Sequence, residues 1–228
     1  MKEVKVISLG GSLVVPEKID IKFLREFKGI INKNKSKYKF IIVCGGGTVA
    51  RKYISALKDF GLNEKFQDFS GISATRMNAR FMSYIFGFNP EKGIPHKLSE
   101  IENLIRKQDL VFCGALEYKP RETSDSTAVE IARHFHTDFI NLTNVNGLHD
   151  KNPKEFKNSK FISEISWRGL YKMATQKEFK PGQHFVIDQT ASRIMMESKI
   201  TTYILGKNPK QLDNLLNSRK FTGTVVKG

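Results

Sequence analysis

The sequence predicts an α/β fold built on a largely parallel sheet. Short apolar, β-branched runs alternate with longer segments of helical period along the whole chain, which is how strands buried on both faces and joined by helices are written. Two of those runs end directly in glycines, VISLGGSL and IIVCGGGTVARKY, as strands do when they feed a tight turn into a helix. No internal repeat, low-complexity linker or break in composition divides the 228 residues. A single domain of two lobes is therefore expected, large enough to remove roughly 70% of its unfolded surface from water.

Taken in order, the first strand is expected over residues 4–9. A helix follows, because Asp20 is a good N-cap and Phe23, Leu24, Phe27, Ile30 and Ile31 form an apolar stripe behind it. The second strand covers 40–44. Val49, Tyr53, Leu57 and Phe60 then make a stripe that ends at Gly61, the residue type that closes helices. A third helix around 71–86 places Ile72, Thr75, Ala79, Met82 and Phe86 on one side, with Arg76 and Arg80 facing elsewhere. Strands are expected at 110–113, 139–143 and 202–205. ETSDSTAVEIARHF and DQTASRIMM read as helix openings, Asn146-Gly147 as a turn, and 150–160 as an exposed loop.

Composition narrows the class. Thirty-eight basic against 23 acidic residues leave a formal charge of +15, which attracts any polyanion without choosing among them. The lysines are dispersed in apparent loops and lack a recognition motif, so a solvated surface is the expectation and a nucleic-acid groove the minority reading. Cys44 and Cys113 both end apolar runs, as small core residues of a reduced protein would. The five histidines show no zinc spacing, and no G-x-S-x-G elbow is present. The opening residues break their apolar run with lysines, glycines and a proline, unlike a secretory leader, and no stretch approaches a membrane span. A soluble, cytoplasmic protein is expected.

The glycine turns carry the first chemical signal. Glycine lets backbone approach an anion, and the helix that follows offers free N–H groups and the positive end of its dipole. Neither turn matches the GxGxxG or GxxxxGK[ST] pattern. Two such turns at the carboxyl ends of strands in one α/β chain still mark the edge where ligands bind. Arg51, one turn into the second helix, can add a fork of donors toward phosphate. Asp125 and Asp188 each open a helix; each reads either as a cap or as a carboxylate that organises Mg²⁺ and cationic groups around transferring phosphates.

Seven ordered segments resemble the archaeal-type UMP kinases of the amino-acid kinase superfamily over essentially the full chain. They are SLGGSLVVPE, VCGGGTVARKYI, FQDFSGISATRMNA, TSDSTAVEIA, LTNVNGLHDKNP, VIDQTASRIM and TGTVV. The resemblance implies a three-layer α/β/α sandwich of the carbamate kinase-like type, with an acceptor-binding lobe over about 1–140 and an ATP-binding lobe over about 141–228. It implies transfer of the ATP γ-phosphoryl group to UMP, with Mg²⁺ carried by ATP. By its pattern Gly10, Gly11, Ser12, Gly47 and Arg51 face ATP phosphates, and Thr143, Asn144, His149 and Asn152 line the ATP site. Gly46, Asp68, Gly114, Thr123 and Ser124 belong to the UMP side. Asp125 and Asp188, with Gly11 and Arg51, form the reaction centre. The family commonly assembles as hexamers built from dimers.

The chain departs from the family at identifiable places. Many superfamily members carry a lysine where this chain has Ser8. The family usually has a tyrosine and an aspartate at the places of His149 and Asn152, and an aspartate at that of Asn146. GALEYKPRETSD is about two residues longer than the family's run and carries Glu117, Lys119, Arg121 and Glu122. The alternatives are a kinase of the same superfamily acting on another small acid or phosphate, such as isopentenyl phosphate, and a nucleotide-binding sensor without turnover.

Overall fold

The computed structural model describes residues 2–89, 91, 93–120, 122–151, 153, 156–176 and 186–228. Strands β1 (Glu3–Leu9), β2 (Tyr38–Cys44), β3 (Leu110–Cys113), β4 (Phe139–Leu142) and β8 (Thr202–Leu205) lie where the apolar runs predict them. β3 and β4 are buried along their whole length, as befits strands covered on both faces. Three short strands, β5 (Leu148–His149), β6 (Phe161–Ile162) and β7 (Glu164–Ile165), and β9 (Gly223–Val226) complete the set among the described residues. Their brevity hid the first three; β9 lies in the TGTVV segment.

The main sheet has seven strands in the order β3-β2-β1-β4-β8-β9-β7. It is parallel from β3 through β8, while β9 runs antiparallel to β8 and parallel to β7. β5 and β6 form a separate antiparallel ladder. The β1–β2 register runs from Glu3 opposite Tyr38 to Leu9 opposite Cys44, so the two glycine turns leave the sheet side by side.

Helices flank this sheet. They are α1 (Gly11–Val14), α2 (Ile21–Asn34), α3 (Gly47–Asp59), α4 (Glu64–Ile85), α5 (Leu98–Lys107), α6 (Ser124–His134), α7 (Trp167–Thr175), α8 (Gln189–Ser198) and α9 (Pro209–Leu216). α2 is capped by Asp20, whose carboxylate accepts from the Phe23 amide, and it buries Phe23, Leu24, Phe27 and Ile31. α6 packs on β1, β2 and β4 with α8 beside it, and one continuous apolar core joins helices to sheet. Both cysteines are free and fully buried in it. Burial pushes the Cys113 thiol up to about 12, and Cys44 is raised well above the usual range, so both stay protonated. Among the described residues no helix is long and apolar enough to cross a membrane.

Two helical expectations change. α4 begins at Glu64, well before residue 71, because the Asn63 side chain accepts from the Phe66 amide and starts the helix there. The α3 stripe exists and closes near Gly61, whose φ is +73°, but it does not enter the core. Tyr53 is 55% and Phe60 83% exposed, while Ala50 is the buried residue of that helix. α5 follows a 3.6 period through the buried Ile101 and Ile105 and was not predicted.

Candidate active site

β1 is the switch strand of the sheet, with β2 on one side and β4 on the other. The carboxyl ends of β1, β2 and β4 therefore open onto a common crevice, where open α/β sheets bind ligands. Gly10, Gly11 and Ser12 line it after β1, and Thr143 and Asn144 line it after β4. Gly46, Gly47 and Arg51 line it from the start of α3.

The two glycine turns hold each other backbone to backbone. The Gly45 amide donates to the Leu9 carbonyl at 2.9 Å, and the Gly10 amide to the Leu142 carbonyl at 2.9 Å. A Cβ built on Gly11 would fall onto the Gly47 nitrogen, and Gly47 itself has φ of +63°. No larger side chain fits at either place, which is why both turns are glycine. The buried Asn78 of α4 donates to the Gly45 carbonyl at 2.7 Å and fixes the second turn from behind. No side chain caps the N-terminus of α3, so its first N–H groups and the positive end of its dipole are presented at the crevice. Arg51 donates to the Thr48 hydroxyl at 3.0 Å.

Opposite these turns stand two carboxylates that sequence separation kept apart. Asp125 is not the cap of α6: Thr123 is, accepting from the amides of Asp125 and Ser126 and forming a reciprocal box with the Ser126 side chain. That leaves the Asp125 carboxylate free to accept from the buried Ser8 hydroxyl at 2.6 Å, across 117 positions of sequence. Asp188 is a cap, accepting from the Ala191 amide at 2.8 Å, and it also accepts from the Thr123 hydroxyl at 2.5 Å. The cap reading of Asp188 thus holds, and its second oxygen is engaged by Thr123.

Withdrawal from water and the neighbouring Asp188 charge push the Asp125 carboxyl up to about 7, against the opposing hydrogen bond from Ser8. Burial raises Asp188 as well, opposed by Thr123 and backbone amides. Asp68 sits within α4, and burial followed by the Glu64 charge raises its carboxyl.

The described structure brings Asp68, Thr123, Ser124, Asp125 and Asp188 into the same crevice as the turns. Gly114 stands behind the lining, pressed on α4, where a Cβ would lie 2.5 Å from the Thr75 hydroxyl and 2.6 Å from the Arg76 nitrogen. His149 lies on β5 with its ring edge-on to Phe161 at 5.5 Å and is not among the lining residues. Asn152, Arg121 and His184 fall outside the described residues.

Several lining residues had no local signal. Asn141 is buried inside β4 and donates to the Val186 carbonyl at 2.7 Å, tying β4 to the segment that leads to Asp188. Thr75 accepts from the Ala115 amide at 2.9 Å, and Arg76 donates to the Ala115 carbonyl at 3.1 Å and to that of Leu116. Arg76, expected to face away, is therefore the clasp of the loop that leads to Asp125. Tyr118 of that loop packs on Phe69 of α4 with ring centroids 4.9 Å apart. A polar residue facing inward from an apolar strand was the one available clue, for Asn141.

Residues 3–206 match the amino acid kinase family. The chain is 35% identical to the uridylate kinase of Thermococcus kodakarensis over 226 residues, covering 97% of this chain and 98% of that protein. It is 35% identical to the uridylate kinase of Thermoplasma volcanium over 228 residues, covering 99% and 98%. The crystal structure of uridylate kinase from Archaeoglobus fulgidus superimposes with a TM-score of 0.82 at 31% identity, covering 99% of this chain and all of that one.

Proposed function

The chain belongs to the amino acid kinase family, and from that premise we propose that it transfers the γ-phosphoryl group of ATP to UMP. The observation that carries this reading is the crevice itself: two interlocked glycine turns and an uncapped helix N-terminus face a pair of carboxylates at the switch point of the sheet.

The chemistry asks little of a general base. The second phosphate pKa of a nucleoside monophosphate is near ~6, so its attacking oxygen is already largely deprotonated at neutral pH. What remains is to align two polyanions and offset the charge that keeps them apart. The backbone N–H groups of Gly11 and Gly47, with Ser12 and Arg51, serve the ATP phosphates in this reading. Gly46, Asp68, Thr123 and Ser124 serve UMP, and Thr143 and Asn144 the donor side. Assignment of Gly114 is indirect, through the loop it starts, and that of His149 and Asn152 rests on family likeness.

Among the described residues no three His, Cys, Asp or Glu side chains converge to cage a metal. Two acids beside a phosphate site are nevertheless a fitting donor set for Mg²⁺, which keeps waters and shares its coordination with nucleotide phosphates. Asp125 and Asp188 are the residues that would hold it. When bound, the ion would neutralise charge on the transferring phosphates. Ser8 and Thr123 orient the two carboxylates.

A homo-oligomer in the cytoplasm completes the reading, a hexamer by family likeness. The exposed Tyr53, Phe66 and Met77 on the paired helices α3 and α4, with Phe60 at the end of α3, support a second copy as their cover. Light scattering of the wild type and of Phe60→Asp tests this, and a wild type that is monomeric at micromolar concentration refutes it.

The functional test is ADP release from ATP with each nucleoside monophosphate and with isopentenyl phosphate as acceptor. UMP-dependent release is expected. Equal release with and without UMP, or preference for another acceptor, overturns the assignment.

A further inference from the structure

The described lining of the crevice carries five carboxylates, on Asp68, Glu117, Glu122, Asp125 and Asp188, against two cations, Arg51 and Lys119. A site that must gather two polyanions is short of positive charge, so the disposition of each cation matters. Arg51 belongs to the glycine-turn side. Lys119 stands on the opposite wall, in the loop that runs from β3 to α6.

That loop is held in place at several points. Ala115 is clasped by Thr75 and Arg76, and Tyr118 is packed on Phe69. The Glu122 amide donates to the Lys119 carbonyl at 3.3 Å, closing a turn that sets the two side chains together. The Lys119 ammonium lies 3.4 Å from the Glu122 carboxylate, with the lysine side chain 56% exposed and the glutamate 17%. Glu122 immediately precedes Thr123 and Ser124, both in the crevice wall. Its carboxyl is raised by burial, an effect that Lys119 opposes.

An ion pair with one half-exposed partner is weakly held. A phosphate dianion arriving beside it offers more charge and more acceptor oxygens than the carboxylate does. We infer that Lys119 is an acceptor-binding residue: it rests on Glu122 in the free protein and turns to the phosphate of the incoming monophosphate. Glu122 then acts as a parking site that weakens acceptor affinity while keeping the lysine close. The inference rests on the kinase reading above and adds a residue that supplies positive charge on the acceptor side.

The test measures UMP affinity by calorimetry and UMP-dependent turnover in parallel, on the full chain. Lys119→Met is expected to weaken UMP binding by about tenfold or more, as for a lost charge-assisted hydrogen bond, with the KM for ATP unchanged. Glu122→Gln is expected to tighten UMP binding several-fold, by freeing the lysine and removing a repelling charge. The deciding comparison is Lys119→Met placed in the Glu122→Gln protein. If Lys119 contacts the acceptor, the loss of affinity persists there; if it serves only to neutralise Glu122, the loss disappears and the inference falls. Lys119→Arg should recover part of the affinity. A shift in the KM for ATP instead of UMP also overturns it. Wild-type protein that binds UMP without turning it over breaks the kinase reading while the binding comparison still decides the role of Lys119. Failure to bind UMP at all overturns both.

Discussion

The two walls of the crevice are built by different means. The wall after β1 and β2 is backbone: glycine against glycine, with amide groups as its working surface and Asn78 pinning it from behind. The wall between β3 and α6 is made of side chains: Thr75 and Arg76 clasp the loop, Tyr118 leans on Phe69, and Thr123 and Ser8 aim the carboxylates. A backbone surface tolerates no added atom but binds any phosphate alike. A side-chain surface accepts substitution, and in the proposed reading selectivity for the acceptor belongs there.

The sharpest way to break this contrast is Gly11→Ala. Its methyl group would meet the Gly47 backbone, which cannot yield without opening both turns, so a loss on the order of 3 kcal/mol or more is expected in urea unfolding, with activity abolished. An unchanged midpoint would mean that the turns are not interlocked.

Asp125→Asn comes next. It keeps the shape and an acceptor for the Ser8 hydroxyl, yet turnover should fall by about a thousandfold, a size usual for the loss of a charge at a reaction centre. Asp188→Asn should behave similarly while retaining the α8 cap, since asparagine caps as well as aspartate. Retained turnover in either variant would remove that carboxylate from the centre.

The same aspartate makes stability depend on pH. Between the ordinary carboxylate value of 3.8 and about 7, native Asp125 holds a proton that the unfolded chain releases. Stability should therefore decline as pH rises through that window, by roughly 2–4 kcal/mol, and level off above it. Asp188, raised in the same direction, adds to the slope. Asp125→Asn should flatten the curve and be the more stable protein at pH 8; equal slopes for both proteins would contradict the assignment.

The smallest effect tests the side-chain wall. Thr75→Val removes the acceptor of the Ala115 amide and should cost about 1–3 kcal/mol for a buried donor left unpaired. The KM for UMP should rise severalfold with that for ATP unchanged. Equal changes in both would show that the loop does not divide acceptor from donor.

Some of this was written locally. A strand such as LVFC is apolar wherever it is placed, a cap such as Asp20 acts within three residues, and a glycine pair after a strand announces a turn whatever surrounds it. Those features carried the strands, α2 and the position of the crevice from sequence alone, and family likeness supplied Asp68. Features that depend on neighbours were not readable. Helical period identified α3 but not its surroundings, because periodicity reports an apolar face and not what covers it; Tyr53 and Phe60 remain exposed. The opening of α4 at Asn63 and the whole of α5 were polar enough to escape notice.

What the sequence by itself determined, then, is strands β1, β2, β3, β4 and β8, the helices announced by a cap or an apolar stripe, and the two backbone turns, since each arises from interactions within a few residues. What only the tertiary structure decided is which distant groups meet. Ser8 reaches Asp125, Thr123 reaches Asp188, and Lys119 closes onto Glu122 beside them, because the crossover connections bring the ends of β1, β3 and β4 to one edge of the sheet. Hydrogen bonds and charges act over a few ångströms of space, and no pattern along the chain records that distance.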